Sequence, residues 1–359
     1  MFQKGLKGIV AVQTRIASVD GDKGELRYRG ETVDKAIANH SFEETAFFLW
    51  HGRLPSGTEQ NNWNQTLLLH RRIPEHILEI ARLLPPETPI MDGLRTLVSA
   101  YTHQTFVDAD AEEQGVALIA ALPVLTAVLH RLKQGKPIIE PRKDLGHTAN
   151  YLWMLTGVEP TAAQTEALET YLNLTMEHGM NASTFAARVT VSTESDMVSA
   201  ITSALGTMKG PLHGGAPSGV IDLLEEIRVP EQIEPVITEK LENGEKIMGF
   251  GHRIYRTEDP RSILLREKCL KLHGEDPWLD LAVAAEKEIV RLLNNRKPGR
   301  ALYTNVEFYA AAIMRSIDMP PALFTPTFSV ARIVGWTAHI LEQQQDNVIF
   351  RPQSEYIGN

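Results

Sequence analysis

The sequence predicts a mainly α-helical fold, with two long helical blocks and one small β segment near the start. Three observations carry this. Apolar residues recur at helical spacing along most of the 359 residues. Proline, glycine and capping residues punctuate that pattern at helix-length intervals. Only residues 9–30 show the alternation of a strand pair. A chain of this length can bury a large core and accommodates two domains, or one domain with a smaller lobe.

Taken in order, residues 9–30 have apolar-rich segments on either side of Asp20-Gly21-Asp22-Lys23-Gly24, and Leu26 and Tyr28 alternate with charges. Ser41 and Glu44 form a capping box ahead of the apolar run 46–50, which stops at Gly52 and Pro55. Helices are predicted over 61–72 and 74–84, closed by Pro85-Pro86, then over 91–101 and 111–134, the latter long, apolar and buried. Residues 135–147, with Pro137 and Pro141, read as a loop, and 150–155 as a short helix ended by Gly157 and Pro160. Thr161 and Gln164 begin a helix that places Leu168, Tyr171, Leu172 and Thr175 on one face. Residues 196–208 place Val198, Ile201, Leu205 and Met208 on one stripe. Helices over 218–227, 234–243, 262–273, 279–294, 306–317 and 328–345 complete the set. The loop around His213 divides the two blocks and is a candidate hinge.

A hydrophobic fraction of 43% and a charged fraction of 23% belong to a globular protein. The net charge of −9 argues against a nucleic-acid or membrane-surface binder, which would carry a basic stripe. The apolar runs are expected to be too short and too interrupted to span a bilayer. The single cysteine, Cys269, excludes an intramolecular disulfide and suits a reducing compartment; its pattern fits core filler or a surface thiol. No signal or transit segment is read, and the cytoplasm is the expected location.

Four stretches carry chemistry. In 207–218, Gly210, Gly214, Gly215, Pro211 and Pro217 surround His213, which fits either a structural interhelical turn or a reactive imidazole on a stripped-down loop. In 249–261, glycines surround His252, and Arg253, Arg256 and Arg261 follow, with Lys246 just upstream. Arginine forks bind carboxylates and phosphates, so this is an anion site or, alternatively, a solvated basic loop paired with Glu258 and Asp259. Glu307 is the one carboxylate in an apolar helix start. It is either a general base with a raised pKa or a residue that favours the helix dipole. In 177–183, His178 adjoins Gly179, as a helix cap would also require. Arg332 and Arg351 are isolated cations in apolar surroundings, each able to pair with a nearby acid. No metal-ligand spacing, phosphate loop or dinucleotide fingerprint is present, so neither metal nor cofactor is expected.

Together, Gly-Pro-Leu-His-Gly-Gly-Ala at 210–216, Gly-Phe-Gly-His-Arg-Ile-Tyr-Arg-Thr-Glu-Asp-Pro-Arg at 249–261 and Asn-Val-Glu-Phe-Tyr at 305–309 resemble the citrate synthase family in order and approximate spacing. Residues 177–183 and Leu-Arg-Tyr-Arg-Gly at 26–30 resemble it too, so the likeness spans nearly the whole chain. It implies a homodimer whose large and small helical domains close over the substrates; here these would be residues 1–212 with 315–359, and residues 213–314. It implies condensation of an acyl-CoA with oxaloacetate and hydrolysis of the thioester, acetyl-CoA giving citrate and propionyl-CoA giving 2-methylcitrate. A CoA-binding relative with weak activity is the third reading.

Carried over by motif, His213 would stabilise the enolate, His252 would donate a proton to the oxaloacetate carbonyl, and Glu307 would remove the α-proton. His178, Arg261, Arg332 and Arg351 look like the oxaloacetate set, with Arg351 reaching across the dimer. Arg256, Lys246 and Arg300 look like CoA contacts. Glu307 departs from the aspartate usual in the family, adding about 1.5 Å of reach. The chain also lacks the extra amino-terminal segment of the longer NADH-regulated members, so no NADH control is expected.

Overall fold

Seventeen α-helices, three short 3-10 helices and a three-stranded antiparallel sheet account for the regular structure among the described residues of the computed structural model, which are 2–6, 8–214, 217–252, 254–271, 277–296 and 302–358. The sheet joins β1 (Ala17–Asp20), β2 (Glu25–Tyr28) and β3 (Glu31–Thr32) in that order, with Ala17 opposite Tyr28 and Asp20 opposite Glu25. Within the predicted segment 9–30 only residues 17–20 and 25–28 form strands, residues 9–16 form none, and β3 lies just beyond it. Asp20 closes the hairpin, its Oδ1 accepting the N–H groups of Asp22 and Lys23 at 3.1 and 3.0 Å.

The helices are α1 (Val33–Ile37), α2 (Phe42–His51), α3 (Gly57–Leu69), α4 (Glu75–Leu83), α5 (Ile90–Ser99), α6 (Gln104–Asp108), α7 (Ala111–Lys133), α8 (His147–Thr156) and α9 (Ala162–Thr175). They continue as α10 (Ala182–Val191), α11 (Met197–Met208), α12 (Pro217–Ile227), α13 (Ile233–Glu242), α14 (Pro260–Lys271), α15 (Pro277–Arg296), α16 (Val306–Ser316) and α17 (Phe324–Gln345). The capping box predicted at Ser41/Glu44 forms, the helix predicted to begin at Thr161 and Gln164 does so with a box of the same kind, and Gly52 and Gly157 end α2 and α8 in the left-handed conformation. A further box at Ser56/Glu59 starts α3 before its predicted position, and α17 begins at Phe324 with Pro326 in its first turn, where no N–H bond is lost.

Helices α1, α6 and α10 lie where no helix is predicted from the sequence. Asn181 starts α10, its side chain accepting the Thr184 N–H, so the glycine-rich stretch at 179 opens a helix as well as following one.

The core is centred on α7 and α17, which pack together and against α2, α5, α9, α10 and α11. Every residue from 115 to 131 of α7 is buried. Contrary to the sequence expectation, this 23-residue helix is long and apolar enough to cross a bilayer; its burial marks it as the central core helix instead. Gly115 lets α2 approach: a Cβ there would lie 2.7 Å from Trp50. Cys269 is core filler, and burial pushes its thiol up to about 12, leaving it inert.

Candidate active site

Four segments meet where α9, α11, α16 and α17 come together. The first follows α9, whose last carbonyls lack helical partners. The buried Tyr28 hydroxyl shares its one proton among the carbonyls of Asn173, Leu174 and Glu177, all within 3.2 Å, and accepts the Glu177 N–H at 3.3 Å. That anchors His178, which is buried and shares a 3.0 Å hydrogen bond between its Nε2 and the Tyr255 hydroxyl. Burial, reinforced by Arg261 and Arg332, holds its pKa well below the ordinary histidine value.

The second segment is the turn after α11, where the His213 N–H donates to the Gly210 carbonyl at 2.9 Å. His213 Nε2 lies 2.8 Å from Ser183 Oγ, which accepts the Trp336 indole N–H at 3.0 Å. Burial and then Arg332 lower the His213 pKa to about 4, so the imidazole is neutral at pH 7.

The third segment carries His252. Its Nδ1 accepts the backbone N–H groups of Ile254 and Tyr255, both at 3.0 Å. Nδ1 therefore holds a lone pair and Nε2 carries the proton. Burial and Arg261 lower its pKa to about 4 as well. The ring lies 5.6 Å from His178 and 4.7 Å from Tyr255.

Asp259 then binds Arg261 through both carboxylate oxygens, at 3.0 and 2.8 Å, and its Oδ2 also accepts the Val306 N–H at 3.2 Å. The alternative of a solvated basic loop is half right: Asp259 does pair with Arg261, but both are buried. Burial opposes the charge on Arg261, and Asp259 outweighs it, holding the guanidinium above its usual pKa.

The fourth segment is the start of α16. Asn305 caps it by accepting the Glu307 N–H at 3.0 Å. Among the described residues the Glu307 carboxylate has no hydrogen-bond partner, and burial, opposed by Arg261, raises its pKa to about 7. A carboxylate held only for the helix dipole would sit in water near its ordinary value, so the general-base reading fits better.

Arg332 is 1% exposed. It donates to the Thr175 carbonyl at 2.8 Å, lies over the Phe328 ring and makes no ion pair among the described residues. Burial lowers its pKa, with Glu177 acting against the shift. A buried guanidinium without an ion partner favours an incoming anion. Arg261 influences His178, His252 and Glu307, while Arg332 influences His178 and His213, so four of the expected residues gather around two more of them, the guanidinium groups of Arg261 and Arg332.

The other expected residues that the structure describes lie elsewhere. Arg351 is exposed on the carboxy-terminal tail, beside a cavity of about 1260 Å³ that Arg15, Arg29 and Arg188 also line and that none of His213, His252 and Glu307 lines. Lys246 is exposed, and Arg256 pairs with Asp22 at 3.2 Å. Arg253 and Arg300 lie outside the described residues. Ser183 and Tyr255 carry no expected role although each stands inside a quoted motif, Asp259 is expected only as a surface ion-pair partner, and Trp336 has no motif to signal it.

The chain is similar to known proteins along nearly its whole length. The profile of the family described as "Citrate synthase, C-terminal domain" matches residues 5–353. The chain is 40% identical to citrate synthase 2 of Bacillus subtilis, covering 99% of this chain and 95% of that protein. It is 37% identical to 2-methylcitrate synthase of Mycobacterium tuberculosis, covering 100% and 91%. Among solved structures it is similar to a ternary complex of carboxymethyl coenzyme A and oxaloacetate with citrate synthase from Thermoplasma acidophilum. There the TM-score is 0.91 and the identity 30%, over 100% of this chain and 97% of the other.

Proposed function

Because the chain belongs to the citrate synthase family, we propose that it condenses acetyl-CoA with oxaloacetate and hydrolyses the resulting thioester to citrate and CoA, acting as an acyltransferase. One observation carries this reading: a carboxylate with a pKa near 7 is gathered with two neutral imidazoles around two buried guanidinium groups.

Glu307 takes a proton from the acyl methyl group, a role suited to a base whose pKa lies near the working pH. Charge then develops on the thioester oxygen, where His213 donates a hydrogen bond. With Nε2 engaged by Ser183, the free nitrogen is Nδ1, and it carries the proton when the serine hydroxyl donates to Nε2. The enolate carbon attacks the oxaloacetate ketone, and His252 supplies the Nε2 proton to the new alkoxide, its tautomer set by two backbone donors. His178, Arg261 and Arg332 hold the two oxaloacetate carboxylates. Arg256, Lys246 and Arg300 are assigned to CoA; the thioester is the substrate and no other cofactor is invoked.

Residues 1–212 with 315–359 form the large domain and residues 213–314 the small one in this reading, and the active unit is a homodimer. Supporting the dimer, Val10, Val348 and Ile349 leave apolar surface exposed beside the cavity that Arg351 lines. Arg351 of each copy would complete the other's site. The cytoplasm, a reducing compartment, suits the single buried thiol.

The 2-methylcitrate synthase relative supports a second reading with propionyl-CoA, since one methylene changes pocket binding by only ~1–3 kcal/mol. Free thiol release is followed with oxaloacetate and each acyl-CoA. Release that disappears in Glu307→Gln is expected, and silence with both thioesters overturns the proposal. The ratio of kcat/KM for the two substrates decides between them.

A further inference from the structure

Behind the helix that carries Glu307 lies a second carboxylate. Glu286, on α15, is 8% exposed. Its Oε1 accepts the Thr304 hydroxyl at 2.7 Å, and its Oε2 accepts the Tyr309 hydroxyl. Thr304 Oγ1 in turn accepts the Ser262 hydroxyl at 3.1 Å, and an Arg266 nitrogen stands 3.6 Å from Glu286 Oε1.

The two hydroxyls that Glu286 holds lie on either side of Glu307 in the chain. Tyr309 follows it by two residues on α16. Thr304 precedes it in a short extended segment that pairs with the residues before His252. Thr304 bridges Phe250, Gly251 N–H donates to the Tyr303 carbonyl at 2.8 Å, and Asn305 N–H donates to the Gly249 carbonyl at 2.9 Å. The Asn305 side chain adds a bond to the Gly251 carbonyl at 3.0 Å while its Oδ1 caps α16. One carboxylate thus ties together the segment leading into His252 and the first turns of the Glu307 helix.

Stability alone does not explain such a group. Buried ionic clusters replaced by well-packed apolar side chains often lose nothing, because desolvation offsets the attraction. What apolar packing cannot supply is two directional acceptors that set the height and rotation of α16 against the 249–251 segment. Placement matters here, since ~1 Å of error in a catalytic group can cost ~10²-fold in rate.

We propose that Glu286 is a positioning residue for catalysis: through Tyr309 and Thr304 it sets where the Glu307 carboxylate and the His252 ring stand relative to the substrates. This rests on the reading of function above. Glu286→Gln keeps the size but puts an amide donor against one of the hydroxyls, and Tyr309→Phe removes one link while leaving an aromatic ring in place.

In the full-length protein, each variant is expected to lower kcat on the order of tenfold or more. The KM for oxaloacetate should stay within about twofold, since His178, Arg261 and Arg332 are not bonded to Glu286. The Glu286→Gln/Tyr309→Phe pair should lose little more than either single variant, as residues acting through one contact do. The acid limb of the pH–rate profile should also move as the surroundings of Glu307 change. Thermal unfolding identifies the folded variants, and Tyr309→Phe remains informative if Glu286→Gln fails to fold. Folded variants with kcat within about twofold of wild type and an unmoved acid limb would overturn the proposal. With an active wild type that result removes this inference alone, whereas a wild type that releases no thiol removes the functional reading and this inference with it.

Discussion

Ser183 Oγ stands 2.8 Å from His213 Nε2, and this contact determines which nitrogen of the ring is left to face a substrate. The hydroxyl has one proton and two acceptors within reach, His213 Nε2 and Asn181 Oδ1, each at 2.8 Å. The Trp336 N–H already occupies one oxygen lone pair. When the serine donates to the imidazole, Nδ1 must carry the ring proton, since the histidine is neutral.

His213→Ala is therefore expected to lower kcat by ~10²–10⁴-fold, the range of a general acid or base. Oxaloacetate affinity, measured by calorimetry, should stay nearly unchanged. Ser183→Ala should give a smaller kcat loss in the same direction. Loss of oxaloacetate binding in His213→Ala would contradict the role assigned to it.

The pH dependence follows from Glu307. The His213 and His252 imidazoles have pKa values near 4 and stay neutral above pH 5, so in the proposed mechanism the carboxyl near 7 governs the acid limb. As pH falls below 7 Glu307 gains a proton and cannot act as base, so kcat/KM for the acyl-CoA should drop about tenfold per unit below pH 6. A limb near pH 4.5 would mean that the carboxylate is solvated in the free enzyme.

The same shift predicts stability. The folded-state pKa of Glu307 is raised above its ordinary value of 4.5, so folding binds this proton more tightly than the unfolded chain does. That contribution is fully present below pH 4.5 and is lost as pH rises through 7, leaving a charged carboxylate that costs up to ~3 kcal/mol. Glu307→Gln should therefore raise the unfolding temperature at pH 8 and change it far less at pH 5, as calorimetry at the two values can show.

Asp259→Asn removes the charge that opposes buried Arg261 and weakens the hold on Val306. Breaking such a pair by one partner typically costs ~3–5 kcal/mol. A lower urea midpoint is expected, together with a reduced kcat, because the same oxygen ties the Arg261 loop to the Glu307 helix. Unaltered urea unfolding would show that the pair is not integral to the fold.

Gly21 brings the hairpin turn against the His252 loop, with the Arg256 N–H donating to its carbonyl at 2.9 Å. A Cβ there would lie 2.3 Å from the Ile254 carbonyl oxygen, a clash with backbone that side-chain rotation cannot relieve. Gly21→Ala should lower kcat/KM by displacing the segment whose N–H groups hold His252 Nδ1. Kinetics equal to wild type would show that the turn and the catalytic loop are independent.

Much of this was legible in the chain. Capping boxes at Ser41 and Thr161 and the stripe from Val198 to Met208 are local signals, set by side chains within a turn or two of one another, and the helices they announce form. The motifs around His213, His252 and Glu307 likewise pointed to a site because glycines and arginines are unusual neighbours for a histidine. The strand over 9–16 and the missing α10 mark where local reading fails: whether apolar residues pair as a strand depends on a partner elsewhere, and Asn181 caps a helix only because the chain turns at Gly179.

The sequence by itself determined a helical protein, because periodicity and capping are local, and through the motifs at 210–216, 249–261 and 305–309 it determined the family. Only the tertiary structure decided the chemical state of the candidate site residues. That the Glu307 carboxyl has a pKa near neutrality, that both imidazoles are neutral and that Arg332 makes no ion pair among the described residues follow from burial and from which charge faces which. Desolvation and Coulomb interactions depend on distances between segments far apart in the chain, such as Asp259 and Val306, and those distances exist only after folding.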